Sequence, residues 1–189
     1  MKRGRVLDAI EVVLWIALLT LGSAVALEFL RLEPVRPSTV PVPEGLIEAE
    51  TLSVAGKSRD FSFWLQPTSS FMGGRWSLDG HMFAFQTQRD DWIDLELPAV
   101  EPGAYHLTLF LTRAADYGII RVSLNGTTVG QAIDLWSDEG VLTSGPVDLG
   151  LVELRSGRDL LRLAVVGTHA DSSAPHYQFG IDGIKLDAP

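Results

Sequence analysis

Beyond residue 46 the chain alternates apolar and polar residues at every second position, the period of a half-buried β-strand. In residues 92–97, Ile93, Leu95 and Leu97 share one face, and Asp94 and Glu96 share the other. Tyr105, Leu107, Leu109 and Leu111 repeat the pattern, as do Ile120, Val122 and Leu124, and Leu161, Leu163 and Val165. Further strand signals fall at residues 46–50, 82–87, 146–154 and 178–186. Asn125-Gly126 is a two-residue hairpin turn, and Glu101-Pro102-Gly103 and Ser156-Gly157 mark other turns. No long helical period follows residue 46. Many short strands separated by turns predict an all-β sandwich over residues 46–189.

The N-terminal pattern is different. Residues 12–27 read VVLWIALLTLGSAVAL without a charge, and Lys2, Arg3 and Arg5 precede them. As a helix, residues 6–30 would reach about 37 Å, enough to cross a hydrocarbon core of about 30 Å. The basic start predicts a cytoplasmic N-terminus and an exported remainder. Ala24-Val25-Ala26 also suits a cleaved signal peptide. The expectation carried forward is an uncleaved single-pass anchor in the cytoplasmic (inner) membrane over residues 1–30, with a periplasmic or extracellular C-terminal domain. Its small residues Gly22, Ser23 and Ala26, together with Trp15, are candidates for packing on a neighbouring membrane helix. Residues 31–45 hold Pro34, Pro37, Pro41 and Pro43 and predict a semi-rigid polyproline spacer.

Composition narrows the classes. The 189 residues are 46% hydrophobic and 21% charged, with a net charge of −9 and no cysteine. Thiol catalysis, disulfides and thiolate zinc sites are excluded. The acidic balance argues against nucleic-acid partners. Residues 1–30 carry three basic and three acidic side chains, so the whole −9 lies beyond them.

A resemblance emerges from Ile47-Glu48-Ala49-Glu50, Asp91-Trp92-Ile93, Val100-Glu101-Pro102-Gly103-Ala104-Tyr105, Val122-Ser123-Leu124-Asn125-Gly126 and Phe179-Gly180-Ile181-Asp182. In this order they resemble family 6-type carbohydrate-binding modules and the wider galactose-binding-like jelly rolls. Asp116-Tyr117-Gly118, Ala132-Ile133-Asp134-Leu135 and Ser144-Gly145-Pro146-Val147 also resemble a motif set of uncharacterised β-sandwich domains. The resemblance spans about residues 46–187 and implies a jelly-roll β-sandwich. It implies a structural calcium ion at Glu48, Glu50 and Asp182, with Glu48 and Glu50 on one face of the first strand. Calcium takes six to eight oxygens, so carbonyls or water must complete such a shell. The usual sugar cleft is altered: Ser144-Gly145-Pro146 stands where that family carries a Gly-Gly-Trp, and Gly180 stands where it carries Asn. A sugar would then need another aromatic, and the candidates are Trp92, Trp76, Trp136 and Tyr177, with Trp64 also present. Trp92 shares the polar face of its strand and is the leading one.

Catalytic signals are weak. There is no G-x-S-x-G elbow, phosphate loop or H-E-x-x-H. His169, Asp171 and His176 share one polar loop, and Asp90 and Asp91 are adjacent, which sends them to opposite faces of a strand. The sequence therefore predicts a non-catalytic protein. The first expectation is an anchored accessory subunit whose sandwich braces a multi-subunit membrane complex, respiratory or photosynthetic, with integral membrane subunits and the bilayer as partners. The alternative is a membrane-tethered carbohydrate-binding module that recognises cell-wall or extracellular glycan.

Overall fold

The computed structural model describes residues 43–71, 74–155 and 157–189. The predicted anchor, its packing residues Trp15, Gly22, Ser23 and Ala26, and most of the spacer lie outside the described residues. Among the described residues no helix is long and apolar enough to cross a membrane.

The described residues form eleven strands in chain order: β1 (Leu46–Glu48), β2 (Ser53–Lys57), β3 (Ser62–Pro67), β4 (Gly80–Phe85), β5 (Trp92–Glu96), β6 (Gly103–Arg113), β7 (Gly118–Leu124), β8 (Thr127–Asp134), β9 (Leu142–Leu154), β10 (Leu160–Thr168) and β11 (Phe179–Asp187). They form two antiparallel sheets. One runs β3-β4-β11-β6-β9, with β1 also on β11; the other runs β2-β5-β10-β7-β8. β4 pairs with Phe179–Ile181 and β1 with Gly183–Lys185, so the two take consecutive stretches of β11. The expected jelly-roll β-sandwich is what the chain forms.

The core sits between the sheets, built from the alternating residues that the pattern marked. Ile93, Leu95, Ile120, Val122, Leu161, Leu163 and Val165 of one sheet meet Leu107, Leu109, Leu111, Phe179, Ile181 and Ile184 of the other. The hairpin between β7 and β8 turns on Asn125 and Gly126, whose φ values of 50° and 85° are those of a type I′ turn. β2, β3 and β8 escaped the periodicity because all three lie at sheet edges and are largely exposed, which relaxes the alternation.

The first strand is shorter than the pattern implied. It ends at Glu48, and residues Ala49–Thr51 form a 3₁₀ turn. Glu48 and Glu50 therefore do not share one strand face, which corrects the geometry expected of the calcium set.

Candidate functional site

The sheet that contains β4 and β11 has an unusual outer surface. Phe83 of β4 is registered with Trp64 of β3 and Gly180 of β11, and Gly180 with Thr112 of β6. Cross-strand partners point the same way, so these residues lie opposite the core residues Ala84, Ile181 and Leu111. His81 and Phe85, two positions from Phe83 on either side, share that face.

Half of this face is roofed. The β3–β4 connection lays Trp76, 2% exposed, over it beside Phe71 and His81. Trp76 Nε1 donates to Thr112 Oγ1 at 2.8 Å. Thr112 Oγ1 is also 2.5 Å from His81 Nδ1, and His81 Nε2 is 2.7 Å from Gln66 Oε1. An indole can only donate and an amide oxygen can only accept, so the order resolves as Trp76 to Thr112, Thr112 to His81, and His81 to Gln66. Burial lowers the His81 pKa to about 4 and keeps the ring neutral. Gly180 is needed under this ring: a Cβ there would collide with His81 Nδ1 and crowd Thr112. The glycine that departs from the family pattern thus makes room for the histidine.

The other half is open. Trp64 is 43% exposed and Phe85 39%. Both lean on buried Phe83, Trp64 edge-on at 6.1 Å between ring centroids and Phe85 tilted at 5.8 Å. Tyr117 stacks on Phe83 from another side at 6.0 Å. Trp64, Ser62, Lys57, Asp60 and Gln86 line a shallow depression. Gln86 also borders a second cleft, of about 790 Å³, lined by Arg59, Thr87, Gln88, Arg89, Pro175 and Tyr177. The aromatic strip and this loop cleft therefore adjoin at Gln86.

The cleft is held in place from below by Asp91, which is 5% exposed. It accepts from Ser58 Oγ at 2.8 Å, from the Gln88 N–H at 2.7 Å and from Arg59 Nε at 2.8 and 3.0 Å. Burial pushes its pKa up, but the Arg59, Gln88 and Ser58 bonds outweigh this and hold it below the ordinary carboxylate value. Gln86, Asp90 and His176 have φ values of 61°, 70° and 73°. Three non-glycine residues in the left-handed region around one cleft mark a surface whose shape the loops are strained to keep.

The expected sugar residues separate. Tyr177 lines the cleft. Trp76 is a correction: it is interior, with its N–H satisfied, and offers no ring to a ligand. Trp92 does stand on the polar face of β5, yet the Arg162 guanidinium lies over its ring, 3.8 Å from the centroid. Arg162 is fixed there by a two-pronged pair with Asp94 at 2.7 and 2.8 Å. Trp92 is therefore occupied, which corrects its leading place. Trp136 is half-buried and stacked on His169 at 4.1 Å, so it too lacks a free face on that side. His169 lies 4.0 Å from Asp134 and 3.8 Å from Asp171. Phe85 was missed, because nothing in a strand pattern says that a phenylalanine faces solvent.

The metal set assembles only in part. Ser77 Oγ is 2.5 Å from Glu48 Oε2 and 2.7 Å from Asp182 Oδ1, and the Ser77 N–H donates to both Asp182 oxygens at 3.1 and 3.2 Å. Burial raises both carboxyls; bonds from Ser77 oppose this, and neighbouring acidic charge adds to it. Asp182 reaches about 6. The all-oxygen donors suit a hard cation. The count does not, since among the described residues no three His, Cys, Asp or Glu side chains are grouped to hold a metal. Glu50 acts on the pair only through its charge.

No protein-family model and no curated protein matches the chain. Among solved structures, a Paenibacillus xanthan lyase aligns at TM-score 0.65 and 24% identity, over 81% of this chain and 14% of that one. A cycloisomaltooligosaccharide glucanotransferase from Paenibacillus sp., complexed with cycloisomaltoheptaose, aligns at TM-score 0.50 and 14% identity, over 75% of this chain and 18% of that one. A family 35 carbohydrate binding module from an environmental isolate aligns at TM-score 0.49 and 15% identity, over 76% of this chain and 92% of that one. The chain spans less than a fifth of the length of the two enzymes. What it shares with the xanthan lyase is a fold, the jelly-roll sandwich.

Proposed function

We propose that the sandwich is a non-catalytic glycan-binding module, with the Trp64–Phe85 strip and the adjoining Tyr177 cleft as its binding surface. The observation that carries this is the pair of exposed aromatics, 43% and 39% accessible, backed by buried Phe83 and flanked by amide and hydroxyl groups. Sugar rings have apolar C–H faces and polar rims, so an exposed aromatic beside hydrogen-bonding side chains meets both needs. The names of the two enzyme neighbours, a xanthan lyase and a glucanotransferase, accord with this. The aromatic strip, not the likeness of fold, is the argument.

The accessory-subunit reading draws no support from the described residues. Export and anchoring through residues 1–30 remain part of the proposal, resting on the basic start and the apolar run. Calcium at Glu48 and Asp182 would be a structural ion remote in role from the sugar surface.

The test is affinity electrophoresis of the full chain in mild detergent through gels holding acidic and neutral polysaccharides. Retardation by at least one polymer, lost in Trp64→Ala, is expected. Mobility unchanged by every polymer would overturn the proposal.

A further inference from the structure

β3 forms one edge of its sheet, and among the described residues no strand lies on its outer side. Proteins blunt such edges with charged side chains and breaks in the pairing. The other edge strands among the described residues carry these devices. β2 ends on Lys57 and shifts register between Val54 and Gly56. β8 ends on Asp134, and its pairing with β7 also shifts. β9 holds Asp148 and Glu153, and β1 ends on Glu48. β3 has neither device. Its sequence, SFWLQP, is uncharged, it pairs with β4 in unbroken register, and its one blunting residue, Pro67, comes last.

The edge is apolar on both faces. Trp64 stands on the outer face. Leu65 is registered with Met82, which faces Ile181, so it points to the core side; yet it is 48% exposed. Val54 of β2 is registered with core Leu95 and is 46% exposed. Val54 lies three residues before the end of β2 and Leu65 three after the start of β3. The corner where the two strands meet thus leaves apolar surface uncovered among the described residues.

We propose that β3 pairs antiparallel with β3 of a second copy of this chain, about a two-fold axis through Trp64. The choice of occupant follows from the register. A two-fold axis perpendicular to the sheet keeps both outer faces on one side, so residues of like parity must pair. Trp64 then faces Trp64 of the second copy, Phe63 faces its Leu65, and Ser62 faces its Gln66. Aromatic meets aromatic, apolar meets apolar and polar meets polar. The net charge of −9 disfavours self-contact in general, and this register brings no charge together. A single short strand pair is at the small end of specific interfaces, so the dimer is reversible. In it the two aromatic strips lie side by side on one continuous sheet.

The chain has no cysteine, so one introduced cysteine reports one contact. The full chain in mild detergent is oxidised gently and run on non-reducing gels. Trp64→Cys is expected to form a disulfide-linked dimer, and Thr128→Cys, exposed on the β8 edge, is not. Adding Leu65→Lys to Trp64→Cys places a charge against Phe63 of the second copy and should cut cross-linking about ten-fold. Circular dichroism checks that the fold is kept. Ser62→Lys, exposed and in the same register, repeats the test should Leu65→Lys fail to fold. Equal cross-linking at positions 64 and 128 would mark random collision and overturn the proposal. So would cross-linking that the lysine leaves unchanged. No cross-link at position 64 would overturn self-pairing and leave the edge to a different strand.

Discussion

The Thr112 hydroxyl donates to His81 Nδ1 across 2.5 Å while accepting the Trp76 indole N–H at 2.8 Å. One hydroxyl thus serves two buried rings on neighbouring elements, and neither ring has another partner for that nitrogen. Thr112→Val keeps the shape and strips both bonds. It leaves a buried donor and a buried acceptor unsatisfied, at about 1–3 kcal/mol each. Urea unfolding should show a loss of about 2–6 kcal/mol in total. A loss under about 0.5 kcal/mol, the range of ordinary surface substitutions, would mean that the chain of bonds is not formed.

His81 also predicts a pH dependence. Its folded pKa is about 4 against an ordinary 6.5, and the cause is burial. The unfolded chain therefore binds the proton first as pH falls, and stability drops between 6.5 and 4. The full effect is about 3 kcal/mol, levelling off below pH 4. Asp182 opposes this in the wild-type chain. Its pKa is raised to about 6, chiefly by burial, so its contribution is intact below 3.8 and lost as pH rises through 6. The histidine effect is to be read in an Asp182→Asn background by urea unfolding from pH 4 to 7. A flat profile there would count against a neutral buried His81.

The Glu48–Ser77–Asp182 contact makes its own prediction. The single Ser77 hydroxyl proton faces two carboxylate oxygens, at 2.5 and 2.7 Å, and can satisfy only one. With calcium chelated at pH 7.5, Asp182→Asn should be more stable than wild type by about 1–3 kcal/mol, because the amide removes the second buried charge. A less stable variant in chelator would show that the carboxylate itself is required. Calcium that raises the melting temperature of wild type, and not of Asp182→Asn, would assign the pair to the ion.

Tryptophan substitutions should divide by what covers each ring. Trp64→Ala is expected to weaken glycan binding about ten-fold or more, and Phe85→Ala by a smaller factor, with little change in stability. Trp92→Ala should do the opposite. Its ring is under Arg162, so the cost falls on the fold, about 1–2 kcal/mol from lost packing and stacking. Isothermal titration and thermal unfolding on the same samples separate the two outcomes. Binding lost in Trp92→Ala and retained in Trp64→Ala would move the site to the other sheet.

The architecture was legible in the sequence where burial imposed a strict period. Residues 92–97, 105–111, 120–124 and 161–165 each press one face against the other sheet, and one slipped residue would expose the whole set. Asn125-Gly126 was legible for the same kind of reason, since few other pairs accept two positive φ values. The candidate site was not. Tyr177 was picked out, but the ranking of the tryptophans depended on what lies over each ring. An indole next to acidic residues looks exposed in a strand pattern; only the register of β5 with β10 brings Arg162 across Trp92. Trp76 looks like a loop aromatic until the β3–β4 connection folds it onto Thr112. Alternation determines which side of a sheet a residue takes, because that is set by the backbone of its own strand. Whether that side is open or roofed depends on loops and partners distant in sequence, and this only the tertiary structure decided.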